Sequence, residues 1–290
     1  MLMRHPEISV VIVDSHGLCN CIKKLNILTK RQCDVLLVGE KQSRSRFTFW
    51  TRIFRDCLLF FCRQIMLHIA AKLSACMNGI PHRNGFPPIV LVDTFVFDYS
   101  FASGKFRDAY FADMVSLLPH INWWYIPTLF RQSRPLKCFI NMRRNEIPFI
   151  IPQDYLKITD YVWAALHPIR MWRMNFTWKE LDGYDVAEIF KEAMEEHLTL
   201  NSSLEALLKY RLAKRLKQRQ IEIKAVVDWF ENQDIDKGQN MGFRKEYPNA
   251  QIVGYQGFLA SPNYLCSKPT SMENKAGVVP HRLAVMGSGL

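Results

Sequence analysis

The chain has 290 residues, of which 49% are hydrophobic and 12% aromatic, so it can bury a substantial core. A charged fraction of 22% together with seven tryptophans argues against intrinsic disorder, which needs low hydrophobicity and high charge. The net charge is +11, and residues 1–83 alone carry thirteen Lys/Arg against five Asp/Glu. Such a field favours an anionic partner, whether a membrane surface, a phosphate-bearing substrate or nucleic acid.

The eight cysteines follow no regular framework, and Cys19-Asn20-Cys21 has no second pair at zinc-site spacing. We therefore expect reduced thiols and no metal. The first apolar run, Ile8–Val13, is too short for a signal peptide. The most apolar stretch, Cys57–Met77, is interrupted by three basic side chains, so we expect no transmembrane span and a cytoplasmic protein.

The first predicted elements are two short buried strands, Ile8–Val13 and Asp34–Gly39, on either side of a helix at Leu18–Thr29. A long helical pattern follows from Phe47 to Cys76, as one helix or as two that break near Leu58–Phe61. Its charges are mostly basic and its apolar residues are dense. This composition predicts that the helix lies on the surface of an anionic membrane.

A cluster of Gly, Pro and Asn over 78–88 ends that helix. The strongest strand of the chain follows at Pro88–Phe97, then a helix at Phe106–Leu118 and a strand at Trp123–Ile126. Strands that alternate with helices predict βαβ units and a parallel sheet. Residues 150–180 give no clear assignment.

A long helical region is predicted over Asp185–Lys224, and its Lys209–Arg219 segment holds six basic residues and no acid. We interpret that segment as a solvated helix face, with nucleic-acid or membrane binding as alternatives. The alternating pattern then resumes with a strand at Ile223–Phe230, a helix at Ile235–Tyr247 and a strand at Gln251–Tyr255.

The last predicted strand, Leu283–Gly287, enters a glycine turn of the kind that opens a nucleotide-binding unit. We therefore predict an N-terminal Rossmann-like domain with helical insertions over residues 1–280 and the start of a truncated second domain over 281–290. The alternative is that residues 281–290 are an irregular tail that begins no further domain.

Polar residues follow two consecutive predicted strands. Glu231, Asn232 and Gln233 come after the first, where a carboxylate beside two amides suits a hydroxyl-rich ligand or a general base. Helix capping by Asn232 or Asp234 is the equally weighted alternative. Tyr255 and Gln256, between two glycines, lie at the end of the second strand and form either a sugar-binding loop or a tight turn.

Two further acidic positions are ambiguous. Asp93 lies late in the Pro88–Phe97 strand and either faces a cleft or is a buried, hydrogen-bonded structural residue. Asp234 and Asp236 match a metal-binding D-x-D pattern, but they lie at a predicted helix N-terminus, where the helix dipole favours acids. We expect no metal there.

Seven segments carry a family resemblance: Val90–Val96, Phe106–Phe111, Trp229–Gly238, Gly242–Pro248, Ile252–Phe258, Pro269–Glu273 and Val279–Pro280. They resemble a family of surface-carbohydrate biosynthesis proteins that look like GT-B glycosyltransferases. The resemblance covers roughly residues 88–290. It implies two Rossmann-like domains facing a cleft, of which the second would be truncated here.

The resemblance further implies transfer of a sugar from a nucleotide donor to a bacterial surface polysaccharide or lipid-linked glycan, without a cofactor or an essential metal. The acceptor would bind the domain seen here, at the inner face of the membrane. Glu231 is the candidate base, and the residues expected to bind substrate are Asp93, Asn232, Gln233, Lys237, Tyr255, Gln256 and Glu273. The alternative is a non-catalytic scaffold that binds a glycan or a membrane. We expect no nucleic-acid partner, since no nucleic-acid module accompanies the basic segments.

Overall fold

The structure is a computed structural model that describes residues 46–80, 87–102, 104–111, 114–130, 132–173, 180–181, 184–185, 198, 201–257 and 268–285. The strands expected at Ile8–Val13 and Asp34–Gly39, and the helix between them, lie outside these residues. The chain divides into two compact units, residues 1–58 with 166–200 and residues 59–165 with 201–290. All strands of the main sheet belong to the second unit.

Five parallel strands form that sheet, in the order β2-β1-β5-β6-β7. Their bounds are β1 Ile89–Val96, β2 Trp123–Leu129, β5 Ile223–Trp229, β6 Gln251–Gln256 and β7 Arg282–Val285. A separate antiparallel pair, β3 (Glu180–Leu181) and β4 (Tyr184–Asp185), belongs to the first unit. The predicted Rossmann-like α/β sheet is thereby confirmed, as are the strands predicted to start near residues 88, 123, 223 and 251.

The helices are α1 Arg46–Asn78, α2 Met114–Leu117, α3 Pro135–Arg143, α4 Pro152–Tyr155, α5 Ile158–Ala165, α6 His167–Trp172, α7 Asn201–Gln218, α8 Asp234–Glu246 and α9 Ser271–Lys275. The long first helix is continuous and does not break near Leu58–Phe61. The helix predicted at Phe106–Leu118 is wrong: among the described residues of this segment, 106–111 and 114–118, only the four residues of α2 are helical. Asp108 explains the difference, because its Oδ1 accepts hydrogen bonds from the backbone N–H groups of Tyr110 and Phe111 and so replaces helical ones.

The sheet is covered on both faces, as the continuous apolar strands predict. Along β1, Ile89 and Leu91 contribute to one core cluster, whereas Val90 and Val92 contribute to the other. This alternation is the two-residue period of a strand. The first cluster includes side chains of α5, α7 and α8, and the second includes side chains of α3.

β7 is hydrogen-bonded in parallel to β6, with Gly254 opposite Leu283. Among the described strands, the one that we interpreted as the opening of a second domain is the last strand of this same sheet. Its residues are exposed.

Among the residues that the structure describes, one helical segment, Thr48–Asn78, is long and apolar enough to cross a membrane by length and composition, with an 18-residue window of mean hydropathy 1.4. From the sequence we expect no transmembrane span. Core helices pass the same test, and in the second unit α1 buries Phe60, Leu67 and Ala71 in the core. The same face buries Gln64 and Ser74.

The basic segment of α7 is only partly a solvated face. Arg211 and Arg215 both donate to the fully buried carboxylate of Asp160, at 2.7 Å and 2.8 Å from their Nε atoms. Burial alone would raise the pKa of Asp160, but the hydrogen bonds from Arg215, the backbone of Lys157 and Arg211 outweigh it and lower that pKa. These pairs attach α7 to α5.

Candidate functional site

The order in which strands are added to the sheet reverses between β1 and β5. From β1 the chain forms β2 on one side and then returns to the other side, where β5, β6 and β7 follow in order. In open α/β sheets, ligands bind outside the carboxyl ends of the strands at such a point. Those ends are Val96 in β1 and Trp229 in β5. The polar residues around them therefore form the candidate site.

Glu231 lies half-buried in the turn between β5 and α8. The indole Nε1 of Trp229 donates to Glu231 Oε1 at 2.8 Å, and Gln233 Nε2 donates to Oε2 at 2.6 Å. Asn232 between them has a φ of 60°, in the left-handed region that asparagine tolerates better than most residues. The turn thus holds the carboxylate in one orientation, and each oxygen retains capacity to accept a further hydrogen bond.

Three other predicted ligand-binding residues are bonded to one another. Glu273 Oε1 lies 2.7 Å from Lys237 Nζ and accepts from Asn232 Nδ2 at 3.4 Å. Its Oε2 accepts from the backbone N–H of Thr270 in the capping box of α9. Burial would raise the pKa of Glu273, but the bonds from Lys237 and Thr270 outweigh it and lower that pKa to about 2. Lys237 and Glu273 therefore join the first turn of α8 to α9.

Tyr255 belongs to an aromatic cluster beside Glu231. Its ring centroid lies 5.6 Å from that of Trp229 and 5.8 Å from that of Phe111. The ring centroids of Tyr110 and Trp229 are 4.2 Å apart. Burial raises the pKa of Tyr110, and the nearby Glu231 raises it further. The structure thus places Tyr255 near the predicted base. Gln256 follows it at the end of β6 and is half-buried.

Asp93 is 2% exposed and is part of a buried polar network. Lys209 Nζ donates to Asp93 Oδ1 at 2.6 Å and to Gln239 Oε1 at 2.8 Å. Gln239 Nε2 in turn donates to Asp228 Oδ1 at 2.9 Å. Asp93 is therefore a buried ion-pair partner, which is the second of the two roles that its sequence position allowed.

Asp236 caps α8 instead of facing Asp234. Its Oδ2 accepts from the backbone N–H groups of Glu231 and Gln233, and Gln233 is the N-cap residue of this capping box. Asp234 accepts from Ser203 Oγ at 2.6 Å. The predicted capping by Asn232 or Asp234 is therefore wrong: Gln233 occupies the N-cap position, and the carboxylate of Asp236 accepts the capping hydrogen bonds. The part of the chain that the structure describes contains no group of three or more metal-ligating side chains.

Two carboxyl groups of this region are protonated more readily than usual. Burial raises the pKa of Asp236 to about 7 against the opposing hydrogen bonds from Gln233 and Glu231, with Asp93 adding to the rise. Burial, together with Asp236 and Asp93, also raises the pKa of Asp228 well above its ordinary value. Lys209 is the cation that these three aspartates share.

A cavity of about 390 Å³ opens at the carboxyl ends of β1 and β2. Its wall includes Phe95 and Thr128 from those strands, and Glu205 and Lys209 from α7. Gln233 also lines it and donates to Glu231, so the cavity and the predicted base are neighbours. Thr128 and Lys209 both bond Asp93. Asp93 is thereby connected to the cavity through its two partners.

Sequence reasoning missed Glu205 and Lys209. A signal was present, because the two lie four residues apart between Leu204, Leu208 and Leu212, on the apolar face of a helix. We interpreted Lys209 as the first residue of a solvated basic segment, since the five basic residues after it dominate the local pattern. Its burial depends on Asp93, which lies 116 residues earlier in the chain.

No protein-family model matches this sequence, and a search of curated proteins finds no match.

Proposed function

We propose that this chain is a glycosyltransferase-like protein that transfers a sugar from a nucleotide donor to a bacterial surface polysaccharide or lipid-linked glycan. The observation that carries the proposal is the position of Glu231. It is a half-buried carboxylate at the carboxyl edge of a Rossmann-like parallel sheet, held between Trp229 Nε1 and Gln233 Nε2. The resemblance of residues 88–290 to surface-carbohydrate biosynthesis proteins supports the same activity.

In this proposal Glu231 acts as the general base. It removes the proton of an acceptor hydroxyl while that oxygen forms a bond to the anomeric carbon of the donor, and the nucleotide leaves with the electron pair of its glycosidic bond. Donors on both carboxylate oxygens fix the orientation of the base, which keeps it within reach of one hydroxyl. The aromatic cluster of Trp229, Tyr110 and Tyr255 supplies a broad apolar surface beside it.

The test is Glu231→Gln in the full chain, incubated with a panel of UDP-, GDP- and CMP-sugars and a lipid-linked glycan acceptor. Release of nucleotide should fall by ~10²–10⁴, the range for loss of a general base. The melting temperature should stay nearly constant, because glutamine still offers one oxygen to the indole.

Glu222→Gln is the matched control, since Glu222 is exposed just before the amino end of the same strand. A Glu231→Gln variant that melts several degrees lower yet releases nucleotide at the wild-type rate would remove Glu231 from the site. No release from any donor by the wild-type chain would contradict the proposed transfer.

A membrane-binding scaffold is the second candidate, and one surface of α1 favours it. In the second unit, exposed residues recur every three or four positions along the helix to form the α1 stripe: Leu59, Cys62, Met66, Ile69, Leu73 and Met77. Within the second unit the helix also carries two basic residues, Arg63 and Lys72, and no acidic one. An apolar face with basic neighbours suits shallow binding to an anionic membrane surface.

Co-sedimentation of the full chain with vesicles tests this candidate. The chain should bind phosphatidylglycerol-containing vesicles better than phosphatidylcholine vesicles and lose binding as salt rises, because the attraction is screened. Ile69→Glu should weaken binding, whereas Leu117→Glu, a change at an exposed leucine of α2, should not. Equal binding to both vesicles would contradict the electrostatic part, and no binding would contradict the candidate.

A further inference from the structure

The cavity at the carboxyl ends of β1 and β2 has a volume typical of small-molecule sites, which range over ~300–1,000 Å³. Its own volume is about 390 Å³. Side chains of α1, α4 and α7 complete the wall that the strands begin, including Gln64, Gln153 and Glu205. None of these three belongs to the site that the sequence predicts.

Glu205 is the carboxyl group of this wall. Its Oε1 accepts from Gln64 Nε2 at 2.9 Å and lies 3.9 Å from Arg63 Nη1. The side chain nevertheless keeps 28% of its surface exposed, and it lines the cavity. Burial raises the pKa of Glu205, with Arg63, Gln64 and Lys209 opposing the rise. A ligand in the cavity therefore meets a carboxyl group that one amide already orients.

Donors and acceptors are mixed in this wall. Lys209 carries three N–H donors, of which Asp93 and Gln239 take two among the described contacts. Gln153 is 6% exposed, and its Oε1 has no hydrogen-bond partner in the described part of the chain. A buried amide oxygen of this kind favours a ligand that can donate to it.

The charges around the cavity balance, since the cations Arg63 and Lys209 are matched by Glu205 and Asp93. A phosphate or carboxylate ligand would meet the carboxylate of Glu205, which lines the cavity and repels an anion. A hydroxyl group both donates and accepts, so it suits every polar group of the wall. Phe95, Leu208 and Leu212 offer apolar surface to the carbon skeleton of such a ligand.

We infer that this cavity binds a neutral, polyhydroxylated ligand of the sugar type, with Glu205 accepting a hydrogen bond from one ligand hydroxyl. The neutral hydroxyl chemistry follows from the cavity alone, and the choice of a sugar rests on the proposed function. The cavity would then hold the sugar part of a substrate, next to the turn that carries Glu231.

Saturation-transfer NMR on the full chain tests the inference with N-acetylglucosamine and myo-inositol as neutral probes and phenylphosphate as the anionic one. The neutral probes should receive saturation and phenylphosphate should not. Glu205→Gln and Gln153→Met should each weaken the binding of the neutral probes about tenfold, the effect of losing one good hydrogen bond. Gln218→Met, at an exposed position of α7, is the matched control.

Gln153→Met also separates a binding role from a structural one. Replacing a buried oxygen that has no partner by an apolar group of similar shape should leave the melting temperature unchanged or raise it. Weaker probe binding without a lower melting temperature therefore supports the inference. Binding of phenylphosphate in place of the neutral probes, neutral binding unaffected by both variants, or no binding of either neutral probe would overturn it.

The outcomes distinguish this inference from the proposed function. Neutral probes that bind the cavity in a chain that turns over no nucleotide sugar would leave the inference standing and contradict the transfer. If the chain turns over a nucleotide sugar but Glu205→Gln and Gln153→Met do not weaken the binding of the neutral probes, the proposed transfer is supported and the inference about the cavity is contradicted.

Discussion

Lys209 illustrates how one buried residue holds several parts of the second unit. Its ammonium lies 2.6 Å from Asp93, and the side chains of the pair are 10% and 3% exposed. A buried ion pair is a weak source of net stability, but removing one partner leaves an uncompensated charge in the core. A substitution of Lys209 therefore tests whether the buried polar network around Asp93 stabilises the fold.

Lys209→Met should lower the free energy of unfolding by ~3–5 kcal/mol, because it strands the Asp93 carboxylate. Urea denaturation measures the change, and Lys214→Met, five positions further along α7, is the control. The double variant Lys209→Met/Asp93→Leu should recover much of the loss, since it removes the stranded charge as well. A Lys209→Met protein that is as stable as the control would contradict the buried ion pair between Lys209 and Asp93.

At the scale of the elements, α7 and α8 are in very close contact at two glycines of α8. A Cβ added at Gly238 would collide with the backbone of Ala206, whose carbonyl carbon it would approach to 2.5 Å. At Gly242 the nearest atom would be Tyr210 Cα at 2.9 Å. The Gly238-to-Gly242 spacing of one helical turn places both on the face that meets α7.

Gly238→Ala should destabilise the protein by ~1–3 kcal/mol or more, the cost of overpacking. In an exposed helix the same change would stabilise by up to ~1 kcal/mol, because alanine is the better helix former. The sign of the shift in the urea midpoint therefore decides whether the two helices are as close as the structure shows. Gly242→Ala should cost less, and Met241→Ala, at an exposed position of α8, should stay within ~0.5 kcal/mol. A stabilised Gly238→Ala protein would contradict the close crossing.

For the whole molecule, the buried aspartates make stability depend on pH. The pKa of Asp236 is raised to about 7 in the folded state, so the folded protein holds a proton that the unfolded chain releases near its ordinary pKa of 3.8. A raised folded-state pKa gives a contribution that is present at low pH and is lost as pH rises through the folded value. Asp228, whose pKa is also raised, acts in the same direction.

We expect the free energy of unfolding to fall by ~2–4 kcal/mol between pH 4.5 and pH 8 from this source, at ~1.4 kcal/mol for each unit of pKa shift. Asp236→Asn should reduce that slope, and Glu222→Gln, at an exposed carboxyl group, should not. Denaturation curves across this pH range give the measurement. A wild-type protein whose stability rises steadily from pH 4.5 to pH 8, with no change of slope in Asp236→Asn, would contradict the raised pKa.

The sequence by itself determined the class of fold and most of the sheet. The strands β1, β5 and β6 are apolar runs bounded by polar turns, and such local patterns reflect burial on both faces. The sequence also located the turn after β5, which holds Glu231, because polar residues follow the strand where the chain leaves the core. The failure at Phe106–Leu118 has a local cause, since the side chain of Asp108 competes with helical hydrogen bonds.

Only the tertiary structure decided which polar residues are available to a ligand. Lys237 and Glu273 proved to be partners of each other, and Asp93 of Lys209, across 36 and 116 positions of the chain. It also decided that β7 extends the same sheet and that Glu205 and Gln153 border one cavity. The physical reason is that burial and ion pairing depend on residues distant in sequence, whereas periodicity records only the face that each element turns to the core.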